Sequence, residues 1–206
     1  MSNKKVFIDT LGCPKNFNDS EFAAGILEEN GYEIIDSPED ADIIMVNTCG
    51  FINDAKKESI EHIFDMNERR KDGGKLVVSG CLSQRYSEEL SKEIPEADCI
   101  IGVNQYNKLP EILSDIDNNH VAANSCDLDY LEKTVRKLSD NPYTATLKIA
   151  EGCNNTCTYC IIPMIRGKFR SKKMADIITE AKELANFDSS RRYILRQGSV
   201  WQICFT

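Results

Sequence analysis

Ile43-Ile-Met-Val-Asn-Thr-Cys-Gly50 opens with four apolar residues in a row. An unbroken apolar run of this length marks a strand buried on both faces, as in a parallel sheet covered by helices. Upstream, Val6–Asp9 is a short apolar strand. Asn18-Asp-Ser-Glu21 reads as a capping box opening a helix, with Phe22, Ala23, Ile26 and Leu27 inward and Gly31 as its stop. Glu33–Ile35 is a weak strand. Downstream, a helix over Asp54–Arg70 sets Ile60, Ile63 and Phe64 on one face and ends at Gly73-Gly74. Leu76–Val78 is a second buried strand, Ser83–Glu93 a helix with Tyr86 and Leu90 one turn apart, Cys99–Ile101 a strand and Leu109–Asp117 a short helix. Repeated strand–helix units predict an α/β fold: a flavodoxin-like parallel-sheet domain over residues 1–120.

Residues 118–141 interrupt the alternation. They are polar, contain Asn118-Asn119 and Asn124-Ser125, and end at Asn141-Pro142. They read as a linker, placed at 121–141, with a short helix near Leu128–Lys137. Thr144–Ala150 then alternates like a strand, and Ala175–Ala185 is helical through Ile177, Ile178, Ala181 and Leu184. Residues 142–185 therefore hold one strand–helix unit of a second domain. No repeat at solenoid periods is present.

The 206 residues are 41% hydrophobic and 28% charged, which suits a packed soluble core. No apolar run approaches a membrane span, and the start Met1-Ser-Asn-Lys-Lys-Val-Phe7 lacks the apolar region of a secretory signal. A cytoplasmic monomer without membrane contact is expected. Nine cysteines in that compartment argue for metal or redox chemistry over disulfides. The net charge of −8 is unevenly spread. Residues 1–162 carry 16 Lys and Arg against 29 Asp and Glu, or −13, and residues 163–206 carry 9 against 4, or +5. The acidic part is a poor nucleic-acid surface. It could favour a basic partner such as a ribosomal protein, although an ordinary solvated surface accounts for the charge alone.

Cys153, Cys157 and Cys160 lie in Gly152-Cys-Asn-Asn-Thr-Cys-Thr-Tyr-Cys160. This C-x3-C-x2-C spacing supplies three thiolates, whereas a closed structural zinc site wants four ligands. A four-iron, four-sulfur cluster held by three keeps one iron open for another ligand. A second set is dispersed. Cys13, Cys49 and Cys81 each follow the carboxyl end of a predicted strand, beside Gly12, Gly50 and Gly80. In an open parallel sheet those ends share the edge where ligands bind. A single cysteine there would read as a small core hydrophobe; three at equivalent positions imply a second metal site. Cys99 falls inside a strand and belongs to the core. Cys126 in the linker and Cys204 in the tail are incidental, and neither His62 nor His120 reads as a ligand. Asp72-Gly-Gly-Lys75 is a turn without phosphate-loop spacing.

Together these motifs resemble the radical S-adenosylmethionine methylthiotransferases. C-x3-C-x2-C with Tyr159 before its last cysteine is that superfamily's signature, and three dispersed amino-terminal cysteines mark the methylthiotransferase branch. Leu11-Gly-Cys-Pro-Lys-Asn16, Val46-Asn-Thr-Cys-Gly-Phe51, Lys148-Ile-Ala-Glu-Gly-Cys153 and Cys160-Ile-Ile-Pro-Met-Ile-Arg-Gly167 are similar to the RimO type. The resemblance implies a chain that begins a radical-SAM (β/α) barrel after its first domain. It implies two 4Fe-4S clusters, one on Cys13, Cys49 and Cys81, the other on Cys153, Cys157 and Cys160. It also implies S-adenosylmethionine as cofactor, with Tyr159 near the adenine, and an electron donor. In the family it resembles, the open iron binds S-adenosylmethionine, whose cleavage gives a radical that takes hydrogen from an aspartate β-carbon in small-subunit ribosomal protein twelve, and the other cluster presents sulfur to that carbon. Glu151 and Arg166 flank the first loop without an assigned role and read as solvated charge; no catalytic residue beyond the ligands is assigned.

The resemblance covers roughly residues 4–185. Residues 186–206 depart from it, which suggests a reading-frame change or a truncation, and with it an incomplete, inactive form; a divergent natural hairpin around Tyr193–Phe205 is the alternative. Two other functions stay open: methylthiolation of a tRNA adenosine, and a non-catalytic iron–sulfur-binding fragment.

Overall fold

The computed structural model describes residues 3–117, 121–122, 135–138, 144–186, 192–197 and 200–205. Its centre is a six-stranded sheet built from β1 (Lys5–Thr10), β2 (Glu33–Ile34), β3 (Ile43–Thr48), β4 (Lys75–Gly80), β5 (Cys99–Ile101) and β6 (Val121–Ala122). The spatial order is β2-β1-β3-β4-β5-β6 and every pairing is parallel. The first five strands thus follow the doubly wound, flavodoxin-like order, with the reversal of winding between β1 and β3. The sixth strand comes from the stretch read as linker.

Among the described residues, four helices cover the sheet: α1 (Pro14–Glu29), α2 (Asn53–Glu68), α3 (Cys81–Glu93) and α4 (Leu109–Ser114). Alternate strand residues point to opposite faces. Val6, Ile43, Met45, Val77, Cys99 and Ile101 pack with Ala23 and Leu27 of α1 and Leu109 and Leu113 of α4. Ile44, Val46, Leu76, Val78 and Ile100 pack with Ile63 and Met66 of α2 and Leu82 and Leu90 of α3. Each such buried aliphatic side chain contributes about 1.5–3 kcal/mol relative to exposure, so the two layers hold this domain by apolar burial. Cys99 is fully buried in the core, as expected.

Two helix readings change. Asn18-Asp-Ser-Glu21 does not open a helix; α1 starts four residues earlier, with Cys13 at its N-cap and Pro14 in its first turn. Proline suits that position because its missing N–H is one the helix would leave unpaired. The supposed capping box lies mid-helix and is buried. On α2 the buried residues are Ser59, Ile63 and Met66, while Ile60 and Phe64 are 38% and 40% exposed. The sheet-facing row is offset because Ser59 is drawn to Cys49, accepting from its N–H at 2.9 Å and donating to its carbonyl at 3.1 Å.

Beyond residue 143 the chain forms β7 (Thr144–Lys148), β8 (Ala150–Glu151), α5 (Ile162–Arg166), β9 (Arg170–Ser171), α6 (Met174–Asn186), β10 (Arg192–Gln197) and β11 (Val200–Phe205). β11 pairs antiparallel with β10 and with β7, and β8 pairs antiparallel with β9. The parallel start of a barrel is not seen among the described residues. Ala145, Leu147 and Leu184 form a small core here, joined by Leu138, Ile177 and Ala181. Of the short helix expected near Leu128–Lys137, residues 128–134 lie outside the described residues and 135–137 are not helical; Cys126 and His120 also fall outside them. No helix among the described residues is long and apolar enough to cross a membrane.

Candidate functional site

Three strand ends converge. Thr10 of β1 pairs with Asn47 of β3, and Asn47 with Ser79 of β4, so these residues form one row across the sheet. Cys49 and Cys81 each follow that row by two positions and Cys13 by three, at the edge where α/β sheets bind ligands. The backbone is shaped to crowd them. At Gly12 φ is +91°, and a Cβ there would meet Cys49 Cβ at 2.7 Å and Cys49 Sγ at 2.9 Å. Gly80 has φ of +99°, and a Cβ would run into the carbonyl oxygen of Thr48. A side chain at either position would be strained and sterically blocked.

Cys13, Cys49 and Cys81 line one cavity of about 500 Å³, together with Lys15, Phe51, Ile52, Ala55, Ile162, Ile165 and Arg166. Asn16 binds its parts together: its amide donates to Leu11 O at 2.8 Å and Thr48 O at 3.0 Å. Its carbonyl accepts from Arg166 at 2.8 Å. The Arg166 guanidinium also donates to Cys81 Sγ at 3.1 Å. Burial pushes the Cys81 thiol up from its ordinary range, and the adjacent Arg166 charge opposes that shift without cancelling it.

Beneath the cavity lies a buried group of charges. Asp19 accepts from Lys148 at 2.5 Å and from Arg166 at 2.5 Å. Glu151 accepts from Lys148 at 2.7 Å, from Arg166 at 3.4 Å and from Lys15 at 3.4 Å. Side-chain exposure is 0% for Asp19 and Glu151, 1% for Lys148 and 3% for Arg166. Burial alone would push the Glu151 carboxyl up. Lys148, Arg166 and Lys15 outweigh it, so the net shift is downward and the group is an anion at neutral pH. Glu151 and Arg166 are therefore not solvated charge beside a loop, because each is paired and enclosed. A second buried set lies along α1: Arg136 pairs with Glu21 and, at 2.6 Å, with Glu180, and Lys172 pairs with Glu180.

The loop between β8 and α5 carries Cys153, Cys157 and Cys160. Cys153 N–H donates to Gly167 O at 3.1 Å, Cys160 N–H to Cys157 O at 3.0 Å, and Phe169 N–H to the Asn154 side chain at 2.9 Å. Cys157 is exposed, Cys153 and Cys160 partly so. Cys153 lines a second cavity of about 680 Å³ with Lys15, Ile149, Ala150, Gly152, Ile162, Phe169, Ser171, Met174 and Ile177. Tyr159 is 89% exposed and lines neither cavity. His62 is held by Asp9 at 2.9 Å.

The structure thus gathers the dispersed cysteines around one cavity and sets Cys153 of the loop in the wall of its neighbour. No three His, Cys, Asp or Glu side chains among the described residues are grouped to hold a single metal ion. The sequence reading missed Lys15, Asn16, Asp19 and Lys148. For the first three the signal was the run Lys15-Asn16-Phe17-Asn18-Asp19-Ser20-Glu21 preceding Phe22, polar but for Phe17 and too long for one solvent face of a helix; Lys148 lies outside that run.

Residues 5–102 match the family model described as uncharacterized protein family UPF0004. The chain is 47% identical over 200 residues to the ribosomal protein uS12 methylthiotransferase RimO of Clostridioides difficile, covering 95% of this chain and 45% of that protein. It is 46% identical over 200 residues to the protein of the same name from a Thermoanaerobacter species, with 96% and 46% covered. It is 46% identical over 193 residues to that of Acetivibrio thermocellus, with 88% and 42% covered. The chain spans a little under half the length of these curated relatives. The stretch 5–102, which carries three cysteines at the carboxyl ends of β1, β3 and β4, is similar to the UPF0004 family over a little under half of this chain.

Proposed function

We propose that this chain carries the two cluster-binding regions of a radical S-adenosylmethionine methylthiotransferase whose acceptor is the β-carbon of an aspartate in ribosomal protein uS12. The observation that carries the reading is the shared wall. The cavity of Cys13, Cys49 and Cys81 and the cavity of Cys153 have Lys15 and Ile162 in common. The names of the relatives support the acceptor.

The donor chemistry fits. Each set offers three soft thiolates, which suit iron–sulfur clusters. A cluster spreads its thiolates over separate irons, so it asks for wider cysteine spacing than a lone ion. Cys13, Cys49 and Cys81 would hold one 4Fe-4S cluster and Cys153, Cys157 and Cys160 the other. Bound there, the clusters supply reductive cleavage of S-adenosylmethionine and delivery of sulfur. The chain's own side chains do the rest. Phe51, Ile52, Ile162 and Ile165 line the first cavity with apolar side chains. Arg166 spans both regions, touching Asn16, Asp19 and Cys81 on one side and Glu151 on the other. Tyr159, exposed here, would approach the adenine. A ribosomal partner, a separate electron donor and a cytoplasmic location follow from the same reading.

A fusion tests this reading, with residues 1–186 replacing the matching part of the Clostridioides difficile relative. Reconstituted anaerobically and given S-adenosylmethionine, reductant, uS12 and bulk tRNA, it should add a methylthio mass to the uS12 aspartate. Modified tRNA with unmodified uS12 would contradict the acceptor.

A further inference from the structure

Among the described residues, Lys15 is the one charged residue in the walls of both cavities, and no carboxylate lines either. Its side chain is 20% exposed, against at most 3% for Asp19, Glu151, Lys148 and Arg166 below it. Its ion-pair partner among the described residues is Glu151, at 3.4 Å. That is long beside the ~2.7–2.9 Å of a charge-assisted hydrogen bond, whereas Lys148 reaches the same carboxylate at 2.7 Å. Of these five groups three are cations and two are anions, and Lys15 is the outermost cation. An ammonium offers three donors, so a weak contact to Glu151 orients this one without using it up. The surrounding apolar walls strengthen any pairing made there.

We propose that Lys15 binds the side-chain carboxylate of the acceptor aspartate and so fixes the neighbouring β-carbon at the boundary between the two cavities. The proposal rests on the function proposed above. It follows from chemistry: the β-carbon is one bond from the carboxyl carbon, and a cation on the common wall holds it between Cys13, Cys49 and Cys81 on one side and Cys153 on the other. An asparagine has nearly the same shape but no charge, and it leaves the ammonium unmatched. Loss of a hydrogen bond to a charged group is worth about a ten- to hundredfold change in affinity. The methionine carboxylate of S-adenosylmethionine has the same chemistry, so the test must separate the two sources.

The 206-residue chain, reconstituted anaerobically, is titrated with a labelled uS12 peptide carrying either the target aspartate or asparagine. The expected result is a preference of about ten- to a hundredfold for the aspartate peptide. Lys15→Gln should lower affinity for the aspartate peptide to that of the asparagine peptide and leave the latter unchanged. Lys15→Arg should keep the preference. Iron content and S-adenosylmethionine affinity should match wild type in both variants. Equal affinity of the wild type for the two peptides, or a preference surviving Lys15→Gln, overturns the role of Lys15 and leaves the function standing. Weakened S-adenosylmethionine binding or lost iron in Lys15→Gln overturns it as well, by assigning Lys15 to the cofactors. No binding of either peptide by the wild type overturns the uS12 reading itself.

Discussion

Within the parallel sheet, Val6, Ile44, Leu76, Val77 and Ile101 are fully buried against other apolar groups. Where the later part of the chain meets α1, the groups that meet are Lys148 of β7 with Asp19, and Arg136 with Glu21. The apolar part of the second region is small: Ala145, Leu147 and Leu184, with three partly buried side chains and Ile149 around them. The two regions thus depend on different physics. Apolar contacts are tolerant, and losing one removes a fraction of a large sum. Buried ion pairs gain little net energy when complete, because desolvation offsets attraction, but removing one partner strands a charge. The first region should yield gradually to mutation, the second abruptly.

The largest expected effect comes from Asp19→Ala. It removes one of the two carboxylates that Lys148 and Arg166 share, and the cost of breaking such a buried pair is about 3–5 kcal/mol. Amide hydrogen exchange should show β7 losing protection while β3 and β4 keep theirs. Equal loss in both would erase the contrast between regions and make the charges part of one cooperative core.

A smaller effect follows from acid. The folded-state pKa of Glu151 lies below its unfolded value of about 4.5, so the unfolded chain binds more protons at low pH. The stability this carboxylate contributes is complete above pH ~4.5 and is lost as pH falls toward the folded value. Protease resistance of residues 144–186 should therefore decline below about pH 4.5, with Glu151→Gln flattening that decline. A decline on raising the pH instead would have the wrong sign for this pairing.

The strand order and the convergence of Cys13, Cys49 and Cys81 were legible in sequence because they rest on local signals. Unbroken apolar runs mark buried parallel strands, and the loop after each one carries a cysteine beside a glycine. The face of α2 was misread because Ile60 and Phe64 are apolar yet exposed, and Ser59 is polar yet buried under Cys49. Sequence periodicity records hydrophobicity, not hydrogen bonding to another loop. The polar run of α1 was misread as a cap for a related reason. Asn18 and Asp19 resemble helix starters, but their partners Thr146 and Lys148 lie 128 and 129 residues away. Glu151 and Arg166 were taken as surface for the same cause: only the fold brings Asp19 and Lys148 to them. The antiparallel pairing of β7 with β11 depends on such distant contacts as well, and no local pattern announced it.

The central claim, two independent clusters on two cysteine sets, is tested most directly by iron content after anaerobic reconstitution. Two triple variants are compared with wild type: Cys13→Ala with Cys49→Ala and Cys81→Ala, and Cys153→Ala with Cys157→Ala and Cys160→Ala. Each should retain about half the wild-type iron, with the spectrum of a cluster held by three thiolates. Loss of all iron or of none in either variant, or zinc held by four sulfur ligands at either site, would contradict the account.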